Sequence, residues 1–317
     1  MGFMDNGTWV TDEPKGRISN GRYNRPETQF RGVVAPDSAD GFEPEAGRYH
    51  LFVAHACPWA HRTLIVRALL GLEAAIDVSF VKPLMLENGW ALFEPSKVVD
   101  GALYMHHVYG AARSDYTGRC SVPVLWDTRT NTIVSNESAD IVRMLNAGFR
   151  QLATRECPDL YPQHLRSKID KVNELVYHQI NNGVYKCGFA VTQAAYEESF
   201  YQLFDALDQV EATLATSRYL CGNEITEADW RLFATLIRFD AVYVGHFKCN
   251  RNRIEDFPNL SHYTRELYQW PGVAETFDLD LTKEHYYGSH ESVNPKRIVP
   301  VGPTLDFTRA HDRERLG

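Results

Sequence analysis

Apolar positions change their spacing several times before residue 150 and keep a single period after it. Residues 1–46 show no sustained period and are rich in Gly, Asn, Pro, Asp and Arg, which predicts an irregular N-terminal arm. Residues 48–54 (RYHLFVA) then read as a buried strand. From Pro58 to Leu70 the side chains of Ala60, Leu64 and Ala68 share one helical face, and Gly71 stands where such a helix stops. IDVSFV (76–81) reads as a second strand. About forty residues without a clean period follow, and an excursion of that length inside a domain is more often functional than idle. VPVLWD (122–127), a turn at 128–131 and TIV (132–134) predict a β-hairpin, and a helix over 137–146 closes the unit.

Strand, helix, strand, excursion, hairpin and helix is the order of a thioredoxin-like α/β domain, here spanning 47–150. Beyond it, Leu165, Ile169, Val172, Val176 and Ile180 recur at helical spacing, as do Phe200, Leu203, Leu207, Val210 and Leu214. Thr226 is placed as an N-cap, Asp229 can answer it from the third helical position, and Ile225 can staple against Trp230. Another helix follows Pro258. The expected architecture is α+β with two domains, the α/β domain being followed by an all-α helical bundle over 151–317 that ends in an irregular tail.

Composition narrows the function classes. In 317 residues, 44% hydrophobic and 23% charged content exclude wholesale disorder, and the net charge of −8 argues against nucleic acid or an anionic membrane as the main partner. No apolar run approaches the length of a membrane span, and the N-terminus lacks the basic and apolar regions of a signal peptide. Asn6 stands where a myristoylation signal wants Ser or Thr. The six cysteines are far apart with no Cys-x-x-Cys pair, which suits a reduced, cytoplasmic protein better than a disulfide framework. No glycine-rich nucleotide motif is present, so no bound cofactor is expected. His246-Phe247-Lys248-Cys249 has no second pair at ligand spacing, so no metal is expected either.

Three features carry chemistry. Cys57 ends a strand and precedes Pro58, which favours the first position of a helix; its sulfur then faces the free N–H groups and positive dipole end that favour an anion. Position 60 is Ala, so this is a monothiol site, with Arg62 one turn on. Pro123 interrupts an apolar strand, as a proline does at an edge or a cis turn, and in a thioredoxin-like domain a cis proline lets Val122 offer its backbone to a peptide-like thiol. Ser135-Asn136-Glu137-Ser138 opens a helix whose N–H groups and Ser138 hydroxyl can bind a carboxylate, while Glu137 can accept from an amino group. Each feature also has an ordinary structural explanation: a buried cysteine, an edge proline, a plain N-cap.

Together they make a glutathione site, and the segments YHLFVAHACPWAHRT, VPVLWD…TIVSNESADIVRMLN, INNGVYKCGFA, ITEADWRLFATLIRFDAVYVGHFKCN and HYYGSH…NP…IVPVGP resemble the glutathionyl-hydroquinone reductases, the Xi class of glutathione transferases. The resemblance runs from about residue 20 almost to the end. It implies a two-domain glutathione-transferase fold and a homodimer. It also implies that Cys57 is the nucleophile, that Trp90 stacks on glutathione, and that Arg119, Cys120, Ser121 and Val122, with Glu137 and Ser138, hold the glutathione backbone and its γ-glutamyl end. Tyr185 would be the proton donor, and Tyr243 and Tyr286 would donate hydrogen bonds that favour the thiolate.

The implied activity is glutathione-dependent reduction of glutathionyl-hydroquinones through a Cys57–glutathione mixed disulfide. Free glutathione would take the part of the missing second cysteine, as a co-substrate and not a bound cofactor. A monothiol thioltransferase or dehydroascorbate reductase would share Cys57 but need no carbon protonation. A catalytically silent binding module is the third reading, and the intact Cys57 and Pro123 speak against it.

Overall fold

Two short hairpins open the chain in the computed structural model, which describes residues 2–11 and 18–317. β1 (Phe3–Asp5) pairs with β2 (Thr8–Val10), and β3 (Ile18–Ser19) with β4 (Arg22–Tyr23), all antiparallel. Both turns are Asn-Gly, with φ of 45° and 78° at Asn6-Gly7 and 51° and 76° at Asn20-Gly21. Asn and Gly tolerate the positive φ that two-residue hairpins demand. The expected irregularity of residues 1–46 thus gives way locally to order that strands of two or three residues are too short to announce.

Two compact units make up the chain. The first comprises the described residues of Met1–Arg17 with Pro26–Cys157 and Thr276–His285; the second comprises Ile18–Arg25, Pro158–Glu275 and Tyr286–Gly317.

In the first unit β5 (Tyr49–Val53) is buried at every position. It pairs in parallel with β6 (Ile76–Phe80) and antiparallel with β7 (Val124–Asp127), which pairs antiparallel with β8 (Thr132–Ser135), so the order is β6-β5-β7-β8. α1 (Pro58–Leu69) starts with proline in its first turn and stops at Gly71, whose φ of +63° only glycine adopts freely. The excursion holds a short helix, α2 (Met105–Ala112), and α3 (Ser138–Arg143) runs on into a π-helical turn at Met144–Gly148. Arg48 grips Asp127 with a two-bond fork, both at 2.8 Å, tying the start of β5 to the end of β7. Burial alone would raise the Asp127 carboxyl, but that fork, with Thr130 and the Arg129 N–H, holds it below the ordinary carboxylate value.

The second unit is helical beyond its β3–β4 hairpin. α4 (Arg166–Leu175) passes through a π-helical turn at Val176–Asn181 into α5 (Gly183–Gly188), and α6 (Gln193–Leu214) follows. α7 (Glu227–Arg238) is buried along its whole length and α8 (Pro258–Tyr268) begins at the expected proline. The capping box at Thr226 forms as read, and Asp229 goes further. Its carboxylate also accepts from the Leu220 N–H at 2.9 Å and the Tyr263 hydroxyl at 2.8 Å. α9 (Leu279–Ser289) contributes residues 279–285 to the first unit and 286–289 to the second. The tail beyond it is irregular until Arg313, which is fully buried and donates to the carbonyls of Leu214, Ser217 and Arg218 at 2.6–2.8 Å. Among the described residues no helix is long and apolar enough to cross a membrane.

Candidate active site

Cys57 is the N-cap of α1, in extended backbone conformation, and its carbonyl accepts the first intrahelical bond from His61 at 2.9 Å. No acidic residue sits in the first turn, so nothing there neutralises the positive end of the helix. The half-buried thiol points at the carbonyl oxygen of Val122, 3.5 Å from Sγ, and the Val122–Pro123 peptide bond is cis. Arg62, one turn on, lays its guanidinium over the Trp59 ring, 4.5 Å from the ring centre.

The residues expected to hold glutathione lie on two segments that Tyr109 of α2 bridges. Its hydroxyl donates to the Ser121 carbonyl at 3.0 Å and accepts from the Asn136 amide at 3.0 Å, tying residues 119–122 to the start of α3. Within the first segment the Arg119 carbonyl accepts from Tyr116, and burial pushes the Cys120 thiol up, away from the thiolate form a nucleophile needs. At the α3 start Glu137 takes the N-cap position, accepting from the Ala139 N–H at 3.1 Å and from the Ser138 hydroxyl at 3.4 Å. Thr28 of the arm donates to the other Glu137 oxygen at 3.2 Å, and Phe30 exchanges two hydrogen bonds with Asn136. Tyr109, Asn136 and Thr28 thus position this end of the site. Nothing marked Tyr109 or Thr28 in the sequence, because a single Tyr or Thr outside a periodic segment carries no pattern.

Trp90 is buried and stacks on His285, ring centres 4.6 Å apart and planes at 21°. His285 is itself tied to the Pro83 carbonyl at 2.8 Å, and the Trp90 carbonyl accepts the Met105 N–H at 2.9 Å. The indole is a clamped wall of the first unit and not a loose loop residue.

Tyr185, Tyr243 and Tyr286 belong to the second unit and form one cluster. Tyr286 lies between the other two, its hydroxyl 2.6 Å from that of Tyr185 and 3.1 Å from that of Tyr243. Burial pushes the Tyr286 phenol well above its ordinary value, with Tyr185 and Tyr243 acting in the same direction, so at neutral pH it keeps its proton. Phe247 closes the cluster, stacked on Tyr243 with planes at 12°, and Gly188 lets it in: a Cβ there would meet the Phe247 ring at 2.1 Å. Among the described residues no group of three or more His, Cys, Asp or Glu side chains is arranged to hold a metal ion.

With this geometry in hand, likeness to known proteins is specific. The glutathione S-transferase N-terminal domain profile matches residues 56–147 and the C-terminal domain profile residues 193–266. Glutathionyl-hydroquinone reductase PcpF of Sphingobium chlorophenolicum is 50% identical over 96% of both chains, and glutathionyl-hydroquinone reductase YqjG of Escherichia coli K12 is 46% identical over 99% of both. Among solved structures, the Xi class transferase of Natrialba magadii superposes with a TM-score of 0.93 at 46% identity, covering 100% of this chain and 97% of that one. The glutathione-bound structure of YqjG superposes with a TM-score of 0.89 at 44% identity over 99% of each chain. A monothiol cysteine at a helix start beside a cis proline, a cluster of three tyrosines and this near full-length likeness agree: the chain belongs to the glutathionyl-hydroquinone reductases, the Xi class of the glutathione transferases.

Proposed function

We propose that this chain reduces glutathionyl-hydroquinones to hydroquinones with glutathione as co-substrate, releasing oxidised glutathione. The observation that carries the reading is Cys57 alone at the start of α1, with Ala at position 60 and the Val122 carbonyl beside it. A thiol so placed can accept one glutathionyl group but cannot close an internal disulfide. Trp90, Arg119, Cys120, Ser121, Val122, Glu137 and Ser138 hold the glutathionyl part in this reading. The Cys57 thiolate attacks the thioether sulfur, and the sulfur–carbon bond breaks with its electron pair going to the aromatic carbon. Tyr185 protonates that carbon, giving the hydroquinone and a Cys57–glutathione mixed disulfide. A second glutathione thiolate then attacks the glutathione sulfur of that disulfide, oxidised glutathione leaves, and Cys57 returns as thiolate. Tyr243 and Tyr286 assist by hydrogen bonding.

The same reading includes a homodimer and a cytoplasmic location, supported by the family and by six scattered cysteines without a Cys-x-x-Cys pair. The test is incubation with a synthetic glutathionyl-hydroquinone and glutathione. Free hydroquinone and oxidised glutathione should appear in equal amounts, and Cys57→Ser should yield neither. Turnover of glutathione mixed disulfides or dehydroascorbate without any release of hydroquinone would favour the thioltransferase reading.

A further inference from the structure

A cavity lies within the helical unit, lined by the end of α7, by α8 and by the C-terminal tail, with a volume of about 220 Å³. Its walls are apolar where Leu236, Ile237, Ile254, Leu305 and Phe307 face it. Arg265 of α8 also lines it, although its side chain is only 7% exposed. Among the described residues its Nε has no hydrogen-bond partner, and Nη1 reaches a single carboxylate oxygen, that of Glu255, at a long 3.5 Å. Glu255 is shared, since Arg309 also binds it.

The other charges on the wall are already engaged. Asp240 accepts the N–H groups of Ile254 and Glu255 at 2.6 and 3.2 Å, Asp306 accepts the N–H and hydroxyl of Thr308 at 2.9 and 2.6 Å, and Arg253 is forked on Asp256. Thr264 and Ser261 donate to carbonyls of their own helix. A buried guanidinium with an unpaired N–H edge is costly unless an anion completes it, and arginine pairs best with a planar carboxylate through two parallel bonds. Burial accordingly works against the charged form of Arg265, with Glu255 only partly offsetting it.

We infer that this cavity binds a small amphiphilic monocarboxylate, its carboxylate on the terminal N–H groups of the Arg265 guanidinium and its apolar body against Leu236, Ile237, Leu305 and Phe307. The size fits one aromatic or short aliphatic acid. The tail segment that lines it is held in place by Gln269, which donates to the Phe307 and Arg309 carbonyls at 2.8 Å. This site is independent of Cys57 and of the glutathione reading.

The test uses 4-fluorobenzoate as probe, followed by its fluorine NMR signal on the full-length protein with glutathione present in excess. The expected result is saturable binding with a Kd below about 1 mM and roughly tenfold weaker binding of the neutral 4-fluorobenzamide. Arg265→Gln should remove the preference for the acid. Because that substitution alters a buried position, Leu305→Trp, which fills the cavity from the tail segment, is the second variant and should abolish binding while leaving hydroquinone release unchanged. Absence of binding, equal affinity for the amide, or full binding by Leu305→Trp would overturn the inference.

Discussion

The hydroxyl of Tyr286 stands between those of Tyr185 and Tyr243, 2.6 Å from the first and 3.1 Å from the second. Three hydroxyls in a line have three protons and need only two of them to hold the line together. When Tyr243 donates to Tyr286 and Tyr286 to Tyr185, neither of those two bonds uses the proton of Tyr185. Donation along the line also strengthens that last donor, since hydrogen bonds in chains polarise one another.

Tyr185→Phe keeps the ring and deletes the donor. Attack on a thioether expels carbon, a far poorer leaving group than a thiolate, and general acid help is typically worth about 10²–10⁴-fold. Turnover of a glutathionyl-hydroquinone should fall by that order, with little change toward a small mixed disulfide of glutathione. Equal losses on both substrates would mean that Tyr185 shapes the site or tunes Cys57 instead of protonating carbon.

Tyr286→Phe breaks the line from its middle. It should lower hydroquinone release less than Tyr185→Phe does, because the donor itself survives. It should also destabilise the fold by about 0.5–1.5 kcal/mol, the usual net worth of one intramolecular hydrogen bond, since it removes the bond between Tyr286 and Tyr243. In the double variant the catalytic losses should not add, because both substitutions disable one relay. Additive losses measured by single-turnover kinetics would show that the two hydroxyls act separately.

How much of this was legible along the chain depends on how local the cause is. α1 was readable because proline at its start, apolar residues at helical spacing and Gly71 are each signals within a dozen residues, although the helix is buried on all sides but Arg67 and not on one face. The Thr226–Asp229 capping box was readable for the same reason. The π-helical turns at 144–148, 176–181 and 239–243 were not, because an extra residue in a turn leaves no period to detect. Nor was the Trp90–His285 stack, whose partners are almost two hundred residues apart. Cys57 could be singled out as the candidate nucleophile from its neighbours alone. The bridge that Tyr109 makes from Ser121 to Asn136 exists only once the excursion has folded back on the sheet.

Trp90 was expected to stack on glutathione, and the structure holds one face of its indole against His285. An indole already held on one face has little entropy to lose when a ligand stacks on the other. Trp90→Ala should raise the apparent KM for glutathionyl substrate by roughly tenfold, about the worth of one aromatic stacking contact. Cys57 should stay reactive toward iodoacetamide at the unmodified rate, and Trp90→Phe should recover part of the affinity. An unchanged KM would leave Trp90 a packing residue of the first unit.

His50 makes the stability of the first unit depend on pH. The ring is 4% exposed on β5, with Nε2 2.8 Å from the Ser79 hydroxyl, and burial pushes its pKa down to about 4 from 6.5. Asp77 opposes the shift while Arg67 and Lys97 reinforce it. Between those two values the unfolded chain holds the extra proton and the folded chain does not, so stability rises with pH there and is lost as pH falls from about 6.5 toward 4. The full loss is about 3 kcal/mol, at 1.36 kcal/mol per pH unit. His106, also pushed down to about 4 by burial, adds a loss of the same sign. Denaturant midpoints measured at pH 7.5 and about 4.5 should show the native protein losing roughly 2 kcal/mol more than His50→Gln, which cannot take up the proton. Parallel losses in the two proteins would mean that His50 accepts its proton inside the fold at no cost.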